Sequence, residues 1–487
     1  MMGVNLYASR IILQALGVDD FGIYNIVGGI VVLFTFINNA MVASTQRFLN
    51  FELGQNNISE AGKVFSASVT IHCFISLLFL VLSETIGLWF LNEYIQVPEG
   101  RELAANWVYQ FTILATIFYI MRTPYNGAII AEERMSFYAY ISVIEGILKL
   151  AIAFLVYCFV DRLIWYSIFM AIVSFWIYIA YYIYCKRKFP LVCTFRYEYD
   201  KQRYRSLVGF SGWSLFGAVS NMGAQQGLNV LLNIFFGVTL NAAMGIANQV
   251  NNAVYTFVSN FQTAFNPQIV KTYANQNRSE FIGLLFNSSR YSFFLLFMLA
   301  LPICIYCDEL LYLWLGTVPK YSSMFCRIMI INSMFDALSG PLWMAVYASG
   351  RIKKYQICIS ILLLSTLLLA YIFAHLGLNP YMVLLVKPLV GLFILIYRIV
   401  YCKNLIDLSM HAYFKNVLEK CILVLICSLL FSGLIFICYS HTTLAILFVK
   451  IFMTFFICIV AVYFFGITKN EKEYIHMWLH RIKSTVN

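Results

Sequence analysis

Eight basic side chains lie inside long apolar runs: Arg10, Arg122, Lys149, Arg290, Arg327, Lys387, Arg398 and Lys450. The same runs hold few acids, namely Glu84, Glu145 and Asp336, with Asp308 and Glu309 at one end. A charge at the centre of a bilayer costs about 2.5–3.5 kcal/mol on insertion scales, so ionisable residues at that depth are functional candidates. The excess is cationic. Arginine pairs with phosphate oxygens through two parallel hydrogen bonds. A water-filled cavity lined this way suits a phosphate-bearing group and repels a cationic one.

Six cations are the candidates for such a lining: Arg10, Arg47, Arg122, Lys149, Arg290 and Lys387. Each also has a structural reading. Arg10 could pair with a helix end, and Arg47 could be an interfacial arginine that reaches for water. Arg122 precedes Thr123-Pro124, where proline frees a backbone carbonyl that an arginine could satisfy. Glu145 and Lys149 are four residues apart in the order that favours an intrahelical ion pair. Lys387 precedes Pro388 in mid-span, and Arg290 opens its span. Arg327, Arg398 and Lys450 read as peripheral cations that snorkel to the interface. Asp336, beside Asn332 and Ser333, is suited either to a coupling ion (Na⁺ or a proton) or to neutralising a cavity cation. Asn221, Gln225, Gln226 and Asn229 could hydrogen-bond hydroxyl groups, although helix packing is the simpler role for this polar, glycine-containing stretch and for Gly28-Gly29 and Asn38-Asn39.

These residues must be carried by membrane helices. The chain has 487 residues, of which 61% are hydrophobic and 11% charged; soluble domains carry about 25% charged residues. Many apolar runs reach the roughly 20 residues that cross a bilayer as helix, and the short alternating strands of a membrane barrel are absent from the pattern. Fourteen spans are predicted, near 1–16, 21–45, 64–90, 104–130, 136–160, 163–185, 207–235, 240–265, 284–314, 321–349, 355–375, 380–402, 416–438 and 443–467. The first is short for a full crossing, so its helix is expected to begin upstream of Met1. With cytoplasmic termini, the cytoplasmic connections hold 22 Lys and Arg, against Arg101, Arg162 and Lys320 on the other side. That asymmetry supports the span count and a cytoplasmic placement of both ends.

The net charge of +11 therefore reflects topology and contact with anionic lipid headgroups, not nucleic acid. The basic connection 186–206 is the longest and reads as a cytoplasmic linker. The thirteen cysteines fall mostly in apolar runs, which argues against a disulfide framework. No phosphate-binding GxxxxGK[ST] loop is present, the histidines lack metal-ligand spacing, and no cofactor is implied.

The chain repeats internally. Pro124, Ala128, Ala131, Arg134 and Tyr138 align with Pro341, Ala345, Ala348, Arg351 and Tyr355 at an offset of 341 − 124 = 217. Thr35-Phe36 aligns with Thr256-Phe257, and Gln55-Asn56 with Gln276-Asn277, at an offset of 221. Spans 1–6 and 7–12 read as two parallel copies of one unit, an arrangement that builds transporters. The expected division is an N-lobe over 1–185, the linker 186–206, a C-lobe over 207–404, and a last helix pair with its tail over 405–487.

Ser9-Arg10, Leu16-Gly17, Asp20-Phe21-Gly22-Ile23-Tyr24 and Thr45-Gln46-Arg47-Phe48 resemble the opening of bacterial polysaccharide flippases of the Wzx type. These belong to the multidrug/oligosaccharidyl-lipid/polysaccharide exporter superfamily. The resemblance implies an all-α, MATE-like fold with two six-helix lobes and two further helices. It implies a cargo of oligosaccharide joined by pyrophosphate to a polyprenyl lipid, moved across the bacterial inner membrane by alternating access through a cationic central cavity. A polysaccharide polymerase would be a natural neighbour. The alternatives are an ion-coupled drug exporter of the same superfamily and, more remotely, a membrane glycosyltransferase or polymerase, for which the loop 91–103 is short.

Overall fold

The structure of the protein is a computed structural model. It describes residues 11–12, 14–17, 20, 23–24, 27, 35–94, 100–196, 200–438, 444–468, 471–473 and 477. Arg10, Gly28-Gly29, most of span 1 and part of span 2 lie outside these. Among the described residues the secondary structure is helical, with no strand.

The helices in chain order are α1 (Thr35–Gly54), α2 (Ile58–Leu82), α3 (Leu88–Tyr94), α4 (Glu102–Ala131), α5 (Met135–Leu155), α6 (Arg162–Lys188), α7 (Lys201–Phe236) and α8 (Val238–Ala274). Then come α9 (Arg278–Ile305), α10 (Cys307–Leu315), α11 (Ser322–Ser349), α12 (Lys353–His375), α13 (Pro380–Ile406), α14 (Met410–Tyr413), α15 (Glu419–Cys438) and α16 (Leu444–Ala461). Among the described residues, nine helical stretches, from Ile58–Glu93 to Leu444–Gly466, are long and apolar enough to cross a membrane. The chain is a multi-pass membrane protein. Helices α1, α7, α8 and α15 overlap the remaining predicted spans except the first. Helices α7 and α8 run for 36 and 37 residues, about 54 Å at 1.5 Å per residue, so they overshoot a bilayer core of about 30 Å.

The chain divides into two compact units, 1–219 with 270–276 and 220–269 with 277–487. The first contains Leu207–Val219, the opening of the predicted seventh span, and the end of α8. In unit 1, Gly54 lets the end of α1 meet the end of α8: a Cβ there would stand 2.7 Å from the Lys271 Cα. Lys271 then reaches Glu133 at 2.6 Å, in the turn between α4 and α5.

The predicted linker is shorter as observed, because α6 continues to Lys188 and α7 starts at Lys201. It is anchored on α2. Val192 and Cys193 are buried, the Arg196 N–H donates to Ser66 Oγ at 3.0 Å, and Arg203 pairs with Glu60 at 2.8 Å.

Two of the three cations on the sparsely charged side are structural. Arg101 bridges Asp20 and Asp161, the latter at 3.0 Å, and Asp161 also caps α6 through the Ile164 N–H. Arg162 donates to the Ala15 carbonyl at 2.9 Å.

Within unit 2, α11 and α13 run parallel in constant register. Lys387 contacts Met329, Gly391 faces Asn332, Arg398 contacts Ser339 and Cys402 contacts Leu342, so the partners differ by 58, 59, 59 and 60 positions. Gly391 permits this approach, since a Cβ there would lie 2.7 Å from Asn332 Oδ1. Pro341 removes the N–H that would bond the Ala337 carbonyl. Gln262 from α8 supplies the missing donor at 3.0 Å.

Candidate functional site

The candidate site in unit 1 is built on α4, α5 and α6. Apolar flanks hold these helices in the membrane, and one polar strip on each turns toward a shared cavity of about 270 Å³. A second cavity of about 270 Å³ shares Tyr119, Arg122, Glu145 and Lys149 with it. Glu145 is the hub. Its Oε2 accepts from Arg122 Nη1 at 3.1 Å, and its Oε1 pairs with Lys149 Nζ at 2.8 Å. The Arg122 guanidinium also lies 5.0 Å from the Tyr119 ring centroid and 5.4 Å from that of Tyr181, within cation–π range.

Arginine, lysine and one glutamate leave the site with a net charge of +1. The first cavity's walls add hydroxyls from Thr112, Thr116, Ser167 and Ser174, and aromatic faces from Tyr24 and Phe111. This is chemistry for an anion joined to a polar, hydroxyl-rich group: cations for the charge, hydroxyls for hydrogen bonds, rings for sugar or alkyl faces. The low-dielectric surroundings strengthen each such contact and make an uncompensated cation costly.

The other predicted residues are placed as follows. Arg10 lies outside the described residues. Arg47, inside α1 about two turns before its end, stacks its guanidinium 4.5 Å from the Phe48 centroid and 4.9 Å from that of Phe51, with Phe210 at 5.8 Å. Arg290 is 2% exposed and pairs with Glu471 beyond α16. The Thr468 N–H holds that same carboxylate at 2.7 Å, so Arg290 has a structural partner. Burial pushes the Glu471 carboxyl up. The Thr468 backbone and hydroxyl, the Tyr291 hydroxyl and the Arg290 charge outweigh it and hold the group below its usual range.

Lys387 and Asp336 belong to unit 2. Lys387 Nζ has the Met329 thioether at 3.5 Å, and among the described residues no oxygen acceptor is within hydrogen-bond distance of it. Asp336 Oδ2 accepts from Asn332 Nδ2 at 3.0 Å, and its charged neighbours are Arg398 and Lys387. Two resident cations therefore already face the carboxylate that the sequence offered to a coupling ion.

The residue that sequence reasoning passed over is Arg398. It is not a snorkelling arginine at a helix margin. It is half-buried between α11, α12 and α13, with Nε donating to the Tyr355 hydroxyl at 2.8 Å and Nη1 to Ser339 Oγ. The repeat offset relates it to the first site only once the contacts are known: 398 − 217 = 181 and 339 − 217 = 122, so the contact Arg398–Ser339 maps onto Tyr181–Arg122. Arg327 likewise has partners, Asp308 at 2.7 Å and the Cys304 carbonyl at 2.9 Å.

Residues 5–155 match the MatE family model. The chain also superposes on solved MATE structures. The crystal structure of a MATE point mutant matches with a TM-score of 0.71 at 15% identity, over 83% of this chain and 93% of that one. The chain has the MATE fold. An outward-facing multidrug resistance MATE family transporter of the MOP superfamily gives a TM-score of 0.68 at 14% identity, over 83% and 92% of the two chains. The MATE transporter ClbM in complex with Rb⁺ gives 0.65 at 15% identity, over 84% and 94%. No curated protein matches the sequence.

Proposed function

We propose that this protein is a transporter that flips an anionic, lipid-linked oligosaccharide, of the polyprenyl-pyrophosphate class, across the bacterial cytoplasmic membrane for surface polysaccharide assembly. The reading rests on one observation: the cavity of unit 1 presents Arg122 and Lys149 around a single carboxylate, Glu145, among hydroxyls and aromatic rings. The pyrophosphate displaces Glu145 from the two cations. The sugars meet the hydroxyls and rings, and the lipid chain stays in the bilayer. Lys387, whose ammonium has a thioether as its partner among the described residues, is a further cargo contact. Arg10 and Arg47 remain candidates from sequence, and Arg290 is better read as the structural partner of Glu471. Alternating access then exposes the bound headgroup to either side in turn, with both termini in the cytoplasm.

The test is surface polysaccharide in cells that depend on this chain. Arg122→Gln and Lys149→Gln are expected to insert normally and to reduce export. Normal polysaccharide in both variants would sink the reading.

A second reading, a drug exporter, is favoured by one finding: a solved relative of the fold is described as a multidrug resistance transporter. It needs a net acidic site, which the charge balance around Glu145 does not supply.

A further inference from the structure

The repeat carries a second arginine–acid centre in unit 2. In unit 1, Cys185 Sγ donates to the Tyr125 carbonyl at 3.5 Å. In unit 2, Cys402 Sγ donates to the Leu342 carbonyl at 3.6 Å. Both residues are displaced by 217, so α4 with α6 and α11 with α13 are the same helix pair in the two copies. This contact fixes the register independently of any charged residue.

In that register Arg122 corresponds to Ser339 and Tyr181 to Arg398. Each pair touches: the Arg122 guanidinium lies on the Tyr181 ring, and the Arg398 guanidinium donates to Ser339. Tyr138, which lines the cavity with Arg122, corresponds to Tyr355, which binds Arg398. A guanidinium thus takes part in the same helix–helix contact in both copies, hung from α4 in one and from α13 in the other.

The acid has moved as well. Glu145 corresponds to Leu362, and Asp336 corresponds to Tyr119. Yet each arginine keeps one carboxylate, Glu145 in contact with Arg122 and Asp336 as the charged neighbour of Arg398. An arginine and its counter-charge therefore recur although neither residue aligns with its functional mate. Arg398 also keeps a donor edge. Its Nε and Nη1 are held by Tyr355 and Ser339, while among the described residues Nη2 has no hydrogen-bond acceptor.

We propose that Arg398 is a second anion-binding centre for the cargo, guarded by Asp336 as Arg122 is guarded by Glu145. This rests on the anionic-cargo reading above. A phosphate oxygen accepts from the Nη2 edge, and Asp336 acts as the electrostatic competitor that an incoming anion must overcome.

The experiment uses the full chain in lipid nanodiscs, with farnesyl pyrophosphate as the probe and tryptophan fluorescence or thermal shift as the readout. Arg122→Gln and Arg398→Gln are each expected to weaken probe binding by about tenfold, the loss of one charge-assisted contact. Asp336→Asn, made in a Lys387→Gln background because Asp336 also faces Lys387, removes the competitor and leaves the guanidinium in place, so it is expected to tighten binding several-fold relative to Lys387→Gln alone. It carries the test alone if Arg398→Gln fails to fold. Binding that falls in Arg122→Gln but stays within about twofold of the parent protein in Arg398→Gln and Asp336→Asn overturns this proposal and leaves the cargo reading standing. No tightening in Asp336→Asn, where Arg398→Gln cannot be measured, also overturns it. No binding by the wild type, or binding indifferent to Arg122, overturns both.

Discussion

Arg122 and Arg398 serve the same helix–helix contact of the internal repeat from opposite helices of a matched pair. Arg122 extends from α4 onto Tyr181 of α6, and Arg398 extends from α13 onto Ser339 of α11. Sequence alignment of the copies keeps Pro124 with Pro341 and Tyr138 with Tyr355 but sets Arg122 against a serine. The shared feature is a guanidinium at the same helix–helix contact. That relationship makes this one pair of intramembrane cations a property of the repeat.

The first prediction concerns Glu145. Its removal as Glu145→Gln leaves Arg122 and Lys149 without a counter-charge. Probe anions are expected to bind several-fold more tightly, and the empty protein is expected to be less stable, since an uncompensated charge in a low-dielectric site is costly. Titration with farnesyl pyrophosphate and a thermal melt of the same sample check both arms. Tighter binding without lower stability would mean that the ion pairs are solvated.

Glu471 gives a prediction about pH. Its carboxyl is held below its usual value near 4.5, so its contribution is fully present above that value. The contribution is lost as the pH falls through the lower, folded-state value. Melting curves from neutral pH into acid are expected to show Glu471→Gln less stable than wild type near neutrality by about 3 kcal/mol, the scale for breaking a buried pair, with the gap closing in acid. A gap that stays constant would remove Arg290–Glu471 as the titrating pair.

Gln262 is expected to matter for stability rather than transport. It satisfies the Ala337 carbonyl left open by Pro341 and also donates to Ser292 at 3.1 Å. Gln262→Leu leaves buried acceptors unpaired, at a cost of about 1–3 kcal/mol. Thermal denaturation of the purified variant reads this, and an unchanged midpoint would show that another donor takes its place.

Drug susceptibility separates the two transport readings. Cells expressing this chain are expected to tolerate cationic dyes no better than cells without it, because the site of unit 1 carries a net positive charge. A raised tolerance that disappears in Glu145→Gln would favour the drug-exporter reading.

Much of the fold was legible in the residues themselves. Span lengths and the Pro–Arg–Tyr repeat each reflect a constraint that acts on residue type, so composition exposes it. The pair Glu145–Lys149 was legible for the same reason, through its spacing on one helix. Pairing across helices was not. Glu145 meeting Arg122, Arg290 meeting Glu471 and Gln262 meeting Ala337 depend on which helices are neighbours, and hydropathy says nothing about that. Arg398 was lost for a subtler reason: its repeat mate is a tyrosine, so the alignment conceals a guanidinium that has changed helix.

The most direct test of the central claim is transbilayer movement of a fluorescent, sugar-labelled polyprenyl pyrophosphate in proteoliposomes, read by quenching from outside. The account predicts rapid movement with the wild-type chain, slowed about tenfold or more by Arg122→Gln at equal reconstitution, the effect of losing one charge-assisted contact. Equal rates for the two proteins, or no movement with either, would contradict it.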